Sequence, residues 1–163
     1  MLQSFVVSPG CGKTHLAVAL ATKAVEAGYR GYFTTADEMV VALARARADG
    51  TWTTRLRHFV APTVLVVDDV GLLPMARDAA GSFFHVINSR YERGSPTLVT
   101  TNRSLPAWGE LFGDDVVASA ILDRILHKAV VVNIRGASWR MREHQALAEA
   151  SRRPDEAQKG GGR

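Results

Sequence analysis

Val7-Ser8-Pro9-Gly10-Cys11-Gly12-Lys13-Thr14 is the stretch that decides the fold. A short apolar run, Phe5-Val6-Val7, leads into it, and a helical pattern beginning His15-Leu16-Ala17-Val18-Ala19-Leu20 follows. Strand, glycine-rich turn and helix in that order form the setting that a phosphate-binding P-loop requires. Pro9, Gly10, Cys11, Gly12, Lys13, Thr14 and His15 are therefore the expected phosphate cradle. Backbone N–H groups of the turn and helix start would bind the β-phosphate, Lys13 would reach the β and γ oxygens, and the Thr14 hydroxyl would ligate Mg²⁺. The expected ligand is a nucleoside triphosphate such as ATP.

The full pattern, G-x-x-x-x-G-K-[ST], places its first glycine where this chain has Val7. A β-branched residue is strained at positive φ, whereas glycine is not. The turn thus needs Val7 to stay extended while Gly10 and Gly12 take the unusual dihedrals.

Outward from the loop, apolar segments alternate between strand and helix periodicity. Strands are predicted over 2–7, 29–35, 63–69, 97–102 and 129–134, and helices over 14–27, 36–48, 54–59, 79–93 and 115–127, with a loop and short helix over 105–112. This order predicts an α/β P-loop NTPase with a parallel five-stranded sheet flanked by helices. Thr63-Val64-Leu65-Val66-Val67-Asp68-Asp69 carries the second signal. Its apolar run suits a strand buried on both faces, and ligands of open α/β sheets sit at the carboxyl ends of strands. Asp68 is the candidate Walker B carboxylate that holds Mg²⁺, and Asp69 the candidate that polarises the attacking water. Asn102, at the end of Thr97-Leu98-Val99-Thr100-Thr101-Asn102, is placed to sense the γ-phosphate, an ordinary strand-ending turn being the alternative.

The bulk properties set bounds. At 163 residues, 47% hydrophobic and 22% charged, the chain has the size and composition of one globular domain. It contains no run of about 18 apolar residues and no secretory signal pattern, so cytoplasm is the expected compartment and no membrane is implied. The single cysteine, Cys11, cannot form an internal disulfide and reads as a small filler in the loop. The net charge of +4 is compatible with nucleic acid without establishing it. Arg45, Arg47, Arg55 and Arg57 flank one turn and form a candidate patch for the DNA backbone, a solvated helical face being the alternative. The sequence shows no internal repeat, no metal-ligand cluster and no G-x-S-x-G elbow.

With these residues placed, the chain resembles the ATPase core of IstB-type transposition helpers of IS21-like insertion sequences, relatives of the DnaC helicase loaders in the AAA+ class. The matching stretches are Pro9 to Ala17, Ala27-Gly28-Tyr29-Arg30, Val66 to Gly71, Arg90-Tyr91-Glu92-Arg93-Gly94-Ser95, Trp108 to Asp114 and Ala120-Ile121-Leu122-Asp123-Arg124. The phosphate loop and Walker B residues identify only an ATPase, whereas 90–95 and 108–114 select IstB over DnaC. The resemblance implies Asp68 and Asp69 as the Walker B pair and Asn102 as sensor 1. It also implies Arg124 as an arginine finger for a neighbour's site, and hence a homo-oligomer, and Arg140 as sensor 2. It divides the chain into an ATPase core over 1–141 and a C-terminal helix and tail over 142–163.

The implied function is an ATP-dependent helper that assembles on double-stranded DNA and stimulates a partner transposase. Two other readings compete with it: a helicase loader acting on single strands, and an interaction module that retains the fold without turnover. Family members carry a helical region ahead of the first strand that this sequence lacks. The chain is therefore expected to be a fragment, a gene with a misassigned start or a decayed element, in which ATP binding can outlast transposition activity.

Overall fold

The computed structural model describes residues 3–7, 12–72, 74–127 and 129–134. Its elements run β1 (Gln3–Val7), α1 (Lys13–Glu26), β2 (Gly31–Thr35), α2 (Ala36–Ala48), α3 (Trp52–Val60) and β3 (Val64–Val70), then α4 (Arg77–Glu92), β4 (Thr97–Thr101), a 3₁₀ turn (Leu105–Ala107), α5 (Trp108–Phe112), α6 (Asp115–Leu126) and β5 (Val130–Ile134). The five strands form one sheet in the order β2-β3-β4-β1-β5, with every pair parallel. The expected α/β architecture and its five strands are therefore present. The expected helix and tail beyond residue 141 fall outside the described residues.

β3 shows why its sequence reads as a continuous apolar run. Leu65 and Val67 face one core, shared with Met39 and Leu43 of α2, Phe83 and Ile87 of α4, and Ile121 of α6. Val64 and Val66 face the other, shared with Ala17 of α1 and Leu98 of β4. A parallel strand covered on both faces has no solvent side on which polar residues could alternate. Each large aliphatic side chain buried this way stabilises the fold by about 1.5–3 kcal/mol.

Local signals fix the helix starts. Thr35 and Glu38 form a capping box at α2: the Glu38 N–H donates to the Thr35 hydroxyl at 3.1 Å, and the Thr35 N–H to the Glu38 carboxylate at 3.2 Å. Asp114 caps α6 by accepting from the N–H groups of Val116 and Val117 at 3.0 and 3.1 Å. α3 starts at Trp52, earlier than its periodicity predicts. Tertiary contacts hold the extra turn: the Trp52 ring meets His85 edge to face, and the Arg47 guanidinium lies 4.5 Å above it.

The ends of the strands remote from Asp68 converge on Arg90, which is fully buried in α4. Its Nε donates to the Thr97 hydroxyl at 2.8 Å, and Nη1 to the carbonyls of Phe59, Val60 and Pro62 at 3.0, 3.3 and 2.8 Å. Nη2 donates to the carbonyls of Thr63 and Pro96 at 3.1 and 2.5 Å. One guanidinium thereby joins the end of α3, the entry to β3 and the entry to β4. No helix among the described residues is long and apolar enough to cross a membrane.

Candidate nucleotide site

β1 carries the chain to the phosphate loop. Val7 is its last residue and pairs opposite Ile134, so it is extended, as the departure from the glycine pattern requires. Pro9, Gly10 and Cys11 lie outside the described residues. Gly12 precedes α1 with φ of +83°, a conformation that L side chains rarely adopt. α1 then starts with neither a side-chain cap nor an acidic residue in its first turn. The N-terminus of a helix is a setting in which anions bind. Lys13 is buried at 7% exposure, Thr14 is half-buried, and His15 is exposed.

Thr14 meets Asp68 directly. Its hydroxyl lies 2.9 Å from Oδ2 and 3.2 Å from Oδ1 of that carboxylate, which is 4% exposed. The pair offers a cation a hydroxyl and a carboxylate, the hard oxygen donors that Mg²⁺ takes alongside phosphate. These residues therefore fit the magnesium nucleotide that the loop sequence implies.

Asp68 and Asp69 lie in an irregularity of the sheet. Val67 pairs with Val99 and Val70 with Thr101, so β3 carries one residue more than β4 across this step. Asp69 takes up the difference with φ of 55°, the one positive value for a non-glycine residue among those described. Asp tolerates that region better than most residues do. Thr100 stands opposite, accepts the Asp69 N–H at 3.0 Å and donates its own proton to Oδ1 of Asp68. Asn102 follows the end of β4, and among the described residues its Oδ1 is buried without a hydrogen-bond partner. A buried acceptor left open in this way calls for a partner.

The next turn is braced as well. The Thr101 hydroxyl donates to the Val70 carbonyl at 2.5 Å, and Arg103 Nε donates to the Gly71 carbonyl at 3.1 Å. Gly71 has φ of +95°, and a Cβ there would fall 2.7 Å from Cγ of Arg103. Sequence reasoning did not single out Thr100, Thr101 or Arg103. The available signal was two consecutive threonines closing a strand after Leu98-Val99, since buried hydroxyls need partners.

The remaining candidates stand apart. Arg124 of α6 donates from Nε to Asn88 Oδ1 and from Nη1 to the Ala120 carbonyl at 2.9 Å, with its guanidinium 4.8 Å above the Phe84 ring. No bond among the described residues joins it to Thr14, Asp68 or Asp69 of the same protomer. Arg45 and Arg47 on α2, and Arg55 and Arg57 on α3, are all exposed. Arg140 lies outside the described residues.

The chain is similar to known proteins over most of its length. A relative named as an ATP-binding protein of insertion sequence IS5376, from Geobacillus stearothermophilus, is 43% identical over 89% of this chain and 57% of its own length. One from insertion sequence IS21 of Pseudomonas aeruginosa is 44% identical over 83% of this chain and 51% of its own length. The chain thus spans little more than half of these relatives. Among solved structures, the DnaC helicase loader superposes with a TM-score of 0.69 and 30% identity, covering 82% of this chain and 77% of that one. AMPPCP-bound DnaA from Aquifex aeolicus superposes with a TM-score of 0.69 at 22% identity over 91% of this chain and 45% of that one, a likeness of fold alone. The sheet and helices are accordingly those of an AAA+ P-loop protein. Residues 4–147 match the family profile described as IstB-like ATP binding protein, and the chain belongs to that family.

Proposed function

We propose that this chain is the ATPase core of an ATP-dependent DNA-binding helper of transposition. The observation that carries the reading is the hydrogen bond between Thr14, in the first turn of α1, and the buried carboxylate of Asp68 at the end of β3. It brings a phosphate-loop hydroxyl and a Walker B carboxylate to one point, as nucleotide chemistry requires.

Lys13 holds the β and γ oxygens of ATP, and the N–H groups at the start of α1 bind the phosphates. Thr14 and Asp68 hold Mg²⁺. A bound Mg²⁺ supplies neutralisation of the charge that develops on the β- and γ-phosphate oxygens. Asp69 accepts a proton from the attacking water, and the open Oδ1 of Asn102 orients that water against the γ-phosphate. Arg124 acts on a neighbouring protomer's nucleotide, so turnover depends on a homo-oligomer, and Arg140 reads the nucleotide from the segment beyond β5. The exposed Arg45, Arg47, Arg55 and Arg57 contact phosphates of double-stranded DNA, which positions the protein without reading sequence. ATP binding drives assembly on the DNA, the assembly presents a target to the partner transposase, and hydrolysis releases it.

The test compares wild type with Lys13→Ala, first for Mg²⁺-dependent ATP binding and then for ATP-dependent binding to duplex DNA. The mutant should lose both. Retention of ATP-dependent DNA binding by Lys13→Ala removes the reading. The 30% identity with the DnaC helicase loader favours one second reading, action on single strands with a replicative helicase. A preference for single-stranded over duplex DNA in the same assay selects it.

A further inference from the structure

We infer that Thr100 is a positioning residue for both carboxylates of the site: one hydroxyl that fills the bulge in β3 and holds Asp68 and Asp69 in their working orientations. The inference rests on reading Asp68 as a magnesium ligand and Asp69 as the residue that activates water.

In an unbroken parallel ladder each buried N–H donates to a carbonyl of the next strand. The extra residue between Val67 and Val70 removes Asp69 from that ladder, and a buried N–H left without an acceptor is costly. The Thr100 side chain, which is fully buried, supplies the acceptor at 3.0 Å. An N–H so paired fixes the backbone of Asp69 in its left-handed conformation and with it the direction in which the side chain leaves the strand. The same hydroxyl has one proton, and that proton goes to Oδ1 of Asp68. Donor and acceptor capacities of one oxygen are thus divided between two consecutive residues of the neighbouring strand.

Thr14 acts beside it without replacing it. The Thr14 hydroxyl also donates to Asp68 and keeps a lone pair for a cation, but among the described residues its bonds go to Asp68 alone. The Thr100 hydroxyl bonds to both Asp68 and Asp69. Thr101 is not equivalent either, because its hydroxyl donates to the Val70 carbonyl and accepts from the Arg103 N–H. Asn102 follows on the same strand end, so Thr100 also sets the register between the two carboxylates and the open amide oxygen.

Thr100→Val keeps the β-branched shape and removes both hydrogen bonds, whereas Thr100→Ser keeps the hydroxyl. The probe is a fluorescent ATP analogue titrated with Mg²⁺, and again in EDTA, with circular dichroism confirming the fold. In Thr100→Val the Mg²⁺ concentration for half-maximal binding should rise ~10- to 100-fold, the scale of a hydrogen bond to a charged group, while binding in EDTA changes by less than ~3-fold. Thr100→Ser should stay within ~3-fold of wild type in both titrations. A merely structural role would lower the melting temperature and leave the Mg²⁺ titration where it was. If the valine variant does not fold, Thr100→Ala takes its place in the same titrations.

Asp68→Asn separates the two levels of the argument. Should it titrate with Mg²⁺ as wild type does, the reading of Asp68 fails and the inference falls with it. Should Asp68→Asn lose its Mg²⁺ dependence while Thr100→Val matches wild type, the reading stands and the inference is overturned. Loss in Thr100→Val that tracks Asp68→Asn, with rescue by serine, supports it.

Discussion

The Thr14 hydroxyl sits 2.9 Å from Oδ2 of Asp68, which joins the start of α1 to the end of β3. The contact presents a hydroxyl and a carboxylate together, one from the helix and one from the strand. Thr14→Val should weaken Mg²⁺-dependent nucleotide binding ~10- to 100-fold and leave Mg²⁺-free binding little changed. Equilibrium titration with and without EDTA measures both quantities.

Asp69 tests the separation of binding from chemistry. Asn shares the tolerance of Asp for positive φ, so Asp69→Asn should change folding stability by less than about 0.5 kcal/mol. Nucleotide affinity should stay within ~3-fold, while turnover falls ~10²-fold or more through loss of the proton acceptor. A variant that hydrolyses ATP at the wild-type rate removes Asp69 from the chemistry.

Arg124 offers a test of action between protomers. Within the protomer it is held by Asn88, Ala120 and the Phe84 ring, so the proposed action on a neighbour requires the guanidinium to leave those partners. Arg124→Ala should cost about 1–2 kcal/mol of stability, because two hydrogen bonds and the ring interaction all go. ATP affinity of the protomer should not change, while hydrolysis in the assembled state should fall ~10³-fold. Mixing Arg124→Ala with Asp69→Asn protomers should restore part of the activity, because each supplies what the other lacks.

Arg90 is a stability element with a defined pH signature. Burial, and then the nearby charge of Arg93, lowers its pKa from the ordinary arginine value to about 10. Below about 10 the folded and unfolded chains both hold the proton, so this group adds no slope to stability between about pH 6 and about pH 9. Above that value the unfolded chain binds more protons, and the group's contribution rises with pH until both states release them. Arg90→Leu leaves several buried carbonyls without donors and should cost at least about 3 kcal/mol. Urea unfolding across that window should give two parallel curves. Lysine should not rescue, since one ammonium cannot reproduce the fork.

The exposed arginines of α2 and α3 make a prediction about salt. Removing one arginine that pairs with a DNA phosphate should reduce the slope of log affinity for duplex DNA against log salt by about 0.9. Replacing Arg55 and Arg57 together by alanine should lower the slope by about 2, uniformly across DNA sequences. Unchanged slopes would mean that these side chains form a solvated surface.

The fold was legible because its strongest signals are local: the glycine turn before a helix, the apolar run into two carboxylates, and strand and helix periods in alternation. Asp68 could be singled out as a candidate by its place at a strand end, and Thr14 by its place after Lys13. Thr100 and Arg90 could not, because their roles depend on which strands become neighbours. A threonine facing a bulge and one facing apolar side chains look alike in sequence. Arg90 is a charged residue in an amphipathic helix, and only the approach of the carbonyls of Phe59, Pro62 and Pro96 from distant segments makes burial tolerable. The early start of α3 went unread for the same reason, since it depends on Trp52 meeting His85 across the fold.

The position of β1 has a consequence for how the protein is made. Gln3 pairs with Leu98 on one side and with Val130 on the other, so the strand that bears the phosphate loop lies between two strands that leave the ribosome much later. Until β4 is synthesised, β1 has neither of its neighbours and the loop has no platform. Closing such long segments is entropically slow, and non-local parallel pairing is the slow class of folding event. Nucleotide capture therefore waits for distant parts of the chain, and a nascent chain stalled before Thr97 should remain unable to hold ATP however long it waits.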